Sequence, residues 1–367
     1  ENMCEINSHG GNVIVKRILE LCLKNGADLA EPGEFTKRAF LNGRIDLAQA
    51  ESVIDVINAK SEKEAKSGIK QLEGYLSKEI QDIKQEILDV LVNIEVSIDY
   101  PEYDTPEVQE KEIYEMITSV RKSLEKLEKS FDNGKILKEG IKTAIIGKPN
   151  AGKSSLLNAI LKEDRAIVTD IAGTTRDTIE EFVTINGIPL NLVDTAGIRE
   201  AFDEVEKIGV EKSIKQANNA DLIIAIFDSS KDLTDEDIEI LKLIENKKAI
   251  ILLNKSDLDA KINENDSRFT NISDNIIKIS ALNKTGIDLL YEKISDLFNL
   301  NEINLDNDVL ITNIRHKNII SKSLVNVSKA KDALDKKLPI DIVTIYIKDI
   351  LEDLGKITGE VVTEDII

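Results

Sequence analysis

Eight residues constrain the fold of this chain more than any others. Gly147-Lys148-Pro149-Asn150-Ala151-Gly152-Lys153-Ser154 fits G-x-x-x-x-G-K-[ST]. An apolar run, Thr143–Ile146, precedes it, and a helical pattern, Ser155–Leu161, follows. A strand that turns through glycines into a helix belongs to a sheet covered by helices. The chemistry explains the residue types. Glycines let main-chain N–H groups of Asn150, Ala151 and Gly152 wrap a phosphate without Cβ clashes. The helix N-terminus at Ser154 and Ser155 adds donors and positive dipole. Lys153 offsets phosphate charge, and the Ser154 hydroxyl suits Mg2+.

The rest of residues 141–298 agrees. Apolar runs at Leu190–Val193, Leu222–Phe227, Ile250–Leu253 and Ile276–Ile279 read as strands, and amphipathic stretches separate most of them. This is the alternation of a mostly parallel sheet. Three loops after these runs carry chemistry. Asp194-Thr195-Ala196-Gly197 places a carboxylate for the metal and a flexible N–H at Gly197 near the terminal phosphate. In Asn254-Lys255-Ser256-Asp257, the Asp257 carboxylate matches the two donors on guanine, which adenine lacks. Asn254 can tie the loop, and the Lys255 stem can lie on the base. Ser280-Ala281 can offer a main-chain N–H to the guanine carbonyl. Each loop alone also fits a solvated polar turn. Their order is what makes a GTP site.

On either side the pattern is helical. Ile69, Leu72, Leu76, Ile80, Ile83, Ile87, Leu91, Ile94 and Ile98 recur at an average of about 3.6 residues. This stripe predicts one helix of roughly 35–40 residues ending at Tyr100-Pro101. A second stripe, Ile113 to Phe131, predicts an antiparallel partner that Asn133-Gly134 ends. Ile319 to Leu334 and Ile340 to Leu354 give two more helices. The expected architecture is an α/β domain of P-loop GTPase (Ras-like) type, with a mostly parallel sheet, inserted into an all-α helical domain, behind the tail of a larger N-terminal domain.

Composition narrows the function. The 367 residues carry a net charge of −20, with 41% hydrophobic and 32% charged residues. No segment is basic, so tight nucleic-acid binding by this chain alone is not expected. No apolar run approaches the roughly 18 residues that cross a bilayer. Two cysteines and two histidines exclude a disulfide scaffold, a zinc cluster and a His-based triad, and point to the cytoplasm. Cys4 and Cys22 are expected as buried small hydrophobes, and His9 and His316 as structural or solvated.

Gly173-Thr174-Thr175-Arg176-Asp177, together with the loops above, resembles the MnmE (TrmE) family of tRNA-modification GTPases. Pro32–Asn42, Asp46–Glu51 and Leu354–Glu360 resemble the same family's flanks. The resemblance implies residues 1–45 as the remnant of an α+β N-terminal domain, the end of its folate-binding and dimerising unit, 46–137 and 301–367 as two halves of a helical domain, and 138–300 as the GTPase domain. It implies K+ held by oxygen atoms at Asn150, Thr169, Ile171 and Thr174, and Mg2+ by Ser154, Thr175 and Asp194. Glu206 matches the glutamate that orients the attacking water, and Thr175 a switch threonine. Ile198 stands where many small GTPases use glutamine, and Arg176 and Arg199 are open as arginine fingers or surface residues. GTPase domains that dimerise across the nucleotide, a MnmG (GidA)-family FAD flavoprotein, tRNA and 5,10-methylenetetrahydrofolate are the implied partners and cofactors. The implied activity is K+-stimulated GTP hydrolysis that serves installation of a (carboxymethyl)aminomethyl group on carbon 5 of wobble uridine. The family ends in a Cys-x-Gly-Lys tail, and this chain stops at Ile367 before such a cysteine. Two alternatives are a GTPase switch associated with RNA or the ribosome, and a protein that holds its nucleotide without turning it over.

Overall fold

The computed structural model describes residues 3–99, 106–161, 181–185, 187–192, 217–269, 275–300 and 309–360. The chain opens with helices α1 (Asn12–Lys24) and α2 (Glu34–Leu41), neither of which buries a residue among those described. Helices α3 (Leu47–Ile57), α4 (Glu62–Leu72), α5 (Tyr75–Asp99) and α6 (Pro106–Glu139) follow. The sheet domain then runs β1 (Ile141–Ile146), α7 (Lys153–Leu161), β2 (Glu181–Ile185), β3 (Ile188–Leu192), β4 (Leu222–Asp228), α8 (Asp235–Ile244), β5 (Ala249–Asn254), β6 (Ile276–Lys278) and α9 (Ile287–Leu297). Helices α10 (Ile314–Asp335) and α11 (Ile340–Thr358) return to the bundle.

The strand order is β2-β3-β1-β4-β5-β6, parallel except for the antiparallel β2–β3 pair. Along β4, alternate residues enter different cores. Leu222, Ile224 and Ile226 pack with Leu156, Leu157 and Leu290. Ile223, Ala225 and Phe227 pack with Leu241, Ile244 and Phe269. Burial on both faces is why these strands read as unbroken apolar runs. A third core joins α5, α6, α10 and α11, through residues such as Ile80, Ile87, Ile117, Leu124, Ile320 and Ile347. The sheet domain is therefore inserted between bundle helices α6 and α10, as the apolar patterning anticipates.

Helix α6 serves both bodies. Phe131 lies in the bundle core and Leu137, two turns on, in a core of the sheet domain. Lys138 pairs with Asp55 of α3 at 2.7 Å. The returning segment threads beside them: Gln71 of α4 donates to the Leu310 carbonyl at 2.9 Å, and Ile311 N–H donates to Ser130 Oγ at 3.1 Å.

Four expectations need correction. The single long helix is two, because the chain turns at Glu73-Gly74, where Gly74 has φ 89°. Gln49 Nε2 donates to the Leu72 carbonyl at 2.7 Å and caps the end of α4. Ile69 consequently leaves the stripe and is exposed. Gly134 does not end α6, which continues to Glu139. Its missing side chain instead admits the returning segment, since a Cβ there would lie 2.1 Å from the Ile311 carbonyl oxygen. The edge strand β2 is absent from the apolar runs, although Asn186-Gly187 between two short runs is a hairpin signal. Cys4 is exposed and Cys22 half-buried, because the segment that carries them buries little among the described residues.

Candidate functional site: a nucleotide-binding edge

The loops with phosphate and guanine chemistry meet at the C-terminal ends of β1, β5 and β6, where open α/β sheets place their ligands. Gly147–Gly152 turns from β1 into α7. Lys153 folds back over this turn, its Nζ donating to the carbonyls of Gly147 at 2.6 Å and Lys148 at 2.8 Å. Burial holds the Lys153 pKa below the ordinary lysine value. An anionic phosphate would favour its charged form again. Asn150 adopts φ 63°, a left-handed conformation that asparagine tolerates, and its side chain is exposed. Ser154 and Ser155 are exposed at the start of α7.

Asn254 closes the site from below. It is the last residue of β5 and is 2% exposed. Its Nδ2 donates to the Ala151 carbonyl at 2.8 Å, and its Oδ1 accepts from Ala281 N–H at 3.0 Å. One amide thus joins the phosphate loop, the guanine loop and the loop after β6. Gly152 is required by this tie. A Cβ there would lie 2.0 Å from Asn254 Nδ2, at φ 109°. Ser256 N–H donates to the Ile279 carbonyl at 3.1 Å, and Ser280 Oγ donates to Asp257 Oδ1 at 2.5 Å. Asn283 N–H donates to Ser280 Oγ at 3.2 Å, which aims the hydroxyl at Asp257. The Asp257 carboxylate is exposed and oriented. Lys255 sits at φ 65°, and its Nζ reaches Asp228 Oδ2 at 2.6 Å.

The structure therefore brings together Asn150, Ala151, Gly152, Lys153, Ser154, Ser155, Asn254, Lys255, Asp257, Ser280 and Ala281 on one edge. Thr169, Ile171, Gly173, Thr174, Thr175, Arg176, Asp194, Gly197, Ile198, Arg199 and Glu206 lie outside the described residues. The carboxylates of Asp228 and Asp237 were not anticipated. Asp228 directly follows the apolar run of β4, and Asp237 stands three residues after Thr234 in a capping-box spacing. Those were the available signals. His316 is buried on α10 of the bundle, with its Nε2 2.9 Å from Glu51 Oε2 of α3.

A glycine-lined phosphate loop with its lysine, coupled through a buried asparagine to an oriented guanine-type carboxylate on a mostly parallel sheet, defines a P-loop GTPase. Residues 47–367 match the MnmE helical domain model, and residues 1–44 match the GTP-binding protein TrmE N-terminus model. The chain is 50% identical over its whole length to the tRNA modification GTPase MnmE of Acetivibrio thermocellus and covers 80% of it. The same name, identity and coverages hold for the protein of Clostridioides difficile. Among solved structures, the G domain of the T. maritima FeoB iron transporter aligns at 25% identity and TM-score 0.32, over 43% of this chain and 98% of that one. That score is too low to bear on the fold, which stands on the sheet order and the loops. The chain belongs to the MnmE family of tRNA modification GTPases. It is a GTP hydrolase of tRNA modification. No helix among the described residues is long and apolar enough to cross a membrane.

Proposed function

We propose that this chain hydrolyses GTP in a K+-stimulated, dimerisation-activated reaction. In this reading the reaction serves installation of a (carboxymethyl)aminomethyl group on carbon 5 of wobble uridine. The observation that carries the nucleotide part is the Asn254 tie, which holds the phosphate and guanine loops as one rigid receptor. Main-chain amides of Asn150–Ser155 receive the phosphates, and Lys153 exchanges its loop carbonyls for phosphate oxygens. Asp257 reads the guanine edge, Ala281 N–H meets the guanine carbonyl, and the Lys255 stem covers the base. Gly173, Thr174 and Gly197 approach the terminal phosphate, while Glu206 orients the attacking water.

The donors fit the implied cations. Asn150 and Ser154 present an exposed amide and hydroxyl at the loop, hard oxygen donors that suit both K+ and Mg2+. Asn150, Thr169, Ile171 and Thr174 would hold K+, and Ser154, Thr175 and Asp194 would hold Mg2+. When bound, these cations offset charge on the terminal phosphate, the work an arginine finger does elsewhere.

The proposal extends to the assembly. Residues 1–45 correspond to the end of the family's folate-binding and dimerising domain, and 5,10-methylenetetrahydrofolate is assigned to the complete family protein, with only GTP and the cations assigned to this chain. Residues 46–137 and 301–367 form the helical domain around the GTPase domain at 138–300. A MnmG (GidA)-family flavoprotein and tRNA complete a cytoplasmic complex. Steady-state GTP turnover in KCl against NaCl, across protein concentration, tests the central step. Faster turnover in KCl, rising per molecule with concentration, is expected; equal rates in both salts contradict it. Asp257→Asn should shift preference towards xanthine nucleotides, and unaltered guanine selectivity would refute its role.

A further inference from the structure

The segment that follows β4 is held at both ends by lysines from the two nucleotide loops. At its start, Asp228 receives Lys255 Nζ on Oδ2 at 2.6 Å, while its Oδ1 accepts Ser230 N–H at 3.1 Å and Ser230 Oγ at 2.6 Å. At its end, Asp237 Oδ2 receives Lys148 Nζ at 2.5 Å together with Thr234 N–H at 2.8 Å and Thr234 Oγ1 at 3.1 Å. Lys148 Nζ also donates to Thr234 Oγ1 at 2.8 Å. The two carboxylate side chains are only 9% and 4% exposed. A carboxylate buried to that degree needs its cation, so these pairs are unlike exposed surface ion pairs. Main-chain bonds stiffen the segment between them. Ser229 N–H donates to the Asn254 carbonyl at 2.9 Å, and the Ser229 carbonyl accepts Lys261 N–H at 2.7 Å.

Each lysine matters to the site beyond its own charge. The Lys148 carbonyl is one of the two that hold Lys153 Nζ, so the Lys148 side chain anchors the stretch of loop on which Lys153 rests. Lys255 is held at φ 65°, and the Asp228 tether fixes the far end of its stem. A free lysine would lose rotamer freedom on every binding event; a tethered one has lost it already.

We propose that the segment Asp228–Asp237 is a brace that sets the spacing between the phosphate loop and the guanine loop. Asp228 and Asp237 act as positioning residues through Lys255 and Lys148. Neither carboxylate belongs to a nucleotide-binding motif of the chain. The proposal rests on the reading that one guanine nucleotide spans residues 147–155 and 254–257.

The test is the affinity of the full chain for fluorescently labelled GDP with Mg2+, alongside thermal melting without nucleotide. Asp228→Asn is expected to weaken GDP binding on the order of ten-fold, mainly through faster release, with preference over ADP unchanged. In a Lys255→Met background, which keeps the stem but has no ammonium to tether, Asp228→Asn should cost nothing more. Lys148→Met should weaken GDP and GTP alike by a similar factor, and Lys148→Arg should restore both. An Asp228→Asn affinity within two-fold of the unaltered chain overturns the brace, as does an equal further loss in the Lys255→Met background. Should Asp228→Asn fail to fold, Lys148→Met decides alone, and unchanged affinity there contradicts the proposal. Failure of the unaltered chain to bind GDP would instead defeat the nucleotide reading itself.

Discussion

The helical bundle and the nucleotide edge both bury charged groups, and they use them differently. In the bundle, Arg315 of α10 grips Glu51 of α3 with Nε and a terminal nitrogen, each at 2.9 Å, and donates to the Lys356 carbonyl of α11 at 2.7 Å. Asp353 of α11 binds Lys322 at 2.9 Å and Lys356 at 3.0 Å, and Lys84 of α5 pairs with Glu360. Arg315 and Lys322 tie α10 to its neighbours and Lys84 ties α5 to the residue just past α11, while the Lys356–Asp353 pair lies within α11. At the sheet edge, Asn254 and Asp228 join loop to loop, and Lys153 closes on its own phosphate loop. Similar interactions therefore set stability in one region and ligand geometry in the other. Substitutions should divide accordingly, with bundle changes moving the unfolding midpoint and edge changes moving nucleotide affinity.

The largest effect is expected at Gly152. A side chain there meets Asn254 Nδ2, and the Asn254 amide is pinned at its nitrogen by the Ala151 carbonyl and at its oxygen by Ala281 N–H. Gly152→Val should lower GDP affinity by about 100-fold or more, measured by fluorescent-nucleotide titration, while the bundle stays folded by circular dichroism. A Gly152→Val chain that binds normally would break the comparison on the nucleotide side. Next comes the Glu51 cluster. Arg315→Met should cost about 2 kcal/mol in urea unfolding, discounted for partial exposure, and leave GDP affinity unchanged.

Acid titration sharpens the same contrast. Burial works against the Glu51 charge, yet hydrogen bonds from His316 and Arg315 bring its pKa from 4.5 to about 2. A carboxylate depressed in the folded state stabilises fully above pH 4.5 and loses that contribution as pH falls towards 2. Stability should therefore decline through this window, less steeply in Glu51→Gln, as followed by urea midpoints. Identical acid limbs would remove Glu51 from the account. Glu64 runs the other way, since burial raises its pKa and its charge opposes folding. The smallest effect is at Gly134. Glycine to alanine within a helix usually gains up to about 1 kcal/mol. Here the Ile311 carbonyl occupies the space, so Gly134→Ala should lower the melting temperature instead of raising it.

The same contrast governs what the sequence disclosed. Strands β1, β4 and β5 are buried on both faces, so their apolar runs were plain. The phosphate loop was legible because its chemistry demands glycines and a lysine at fixed spacing. The break at Gly74 was not, because the apolar spacing runs through the turn without a change of period. Periodicity records spacing along the chain and carries no direction in space. Gly134 reads as a terminator by type, and only the packing of Ile311 shows its use. Arg315 and Glu51 stand 264 residues apart, and no local pattern pairs them. Asp228 and Asp237 are hidden for the same reason, since their roles come from lysines supplied by other loops.

Calorimetric titration of the full chain with GDP and with ADP, each with Mg2+, tests the guanine receptor most directly. The geometry of Asn254, Asp257 and Lys153 predicts saturable one-to-one binding of GDP and no comparable heat from ADP. Equal binding of both nucleotides, or of neither, would contradict it.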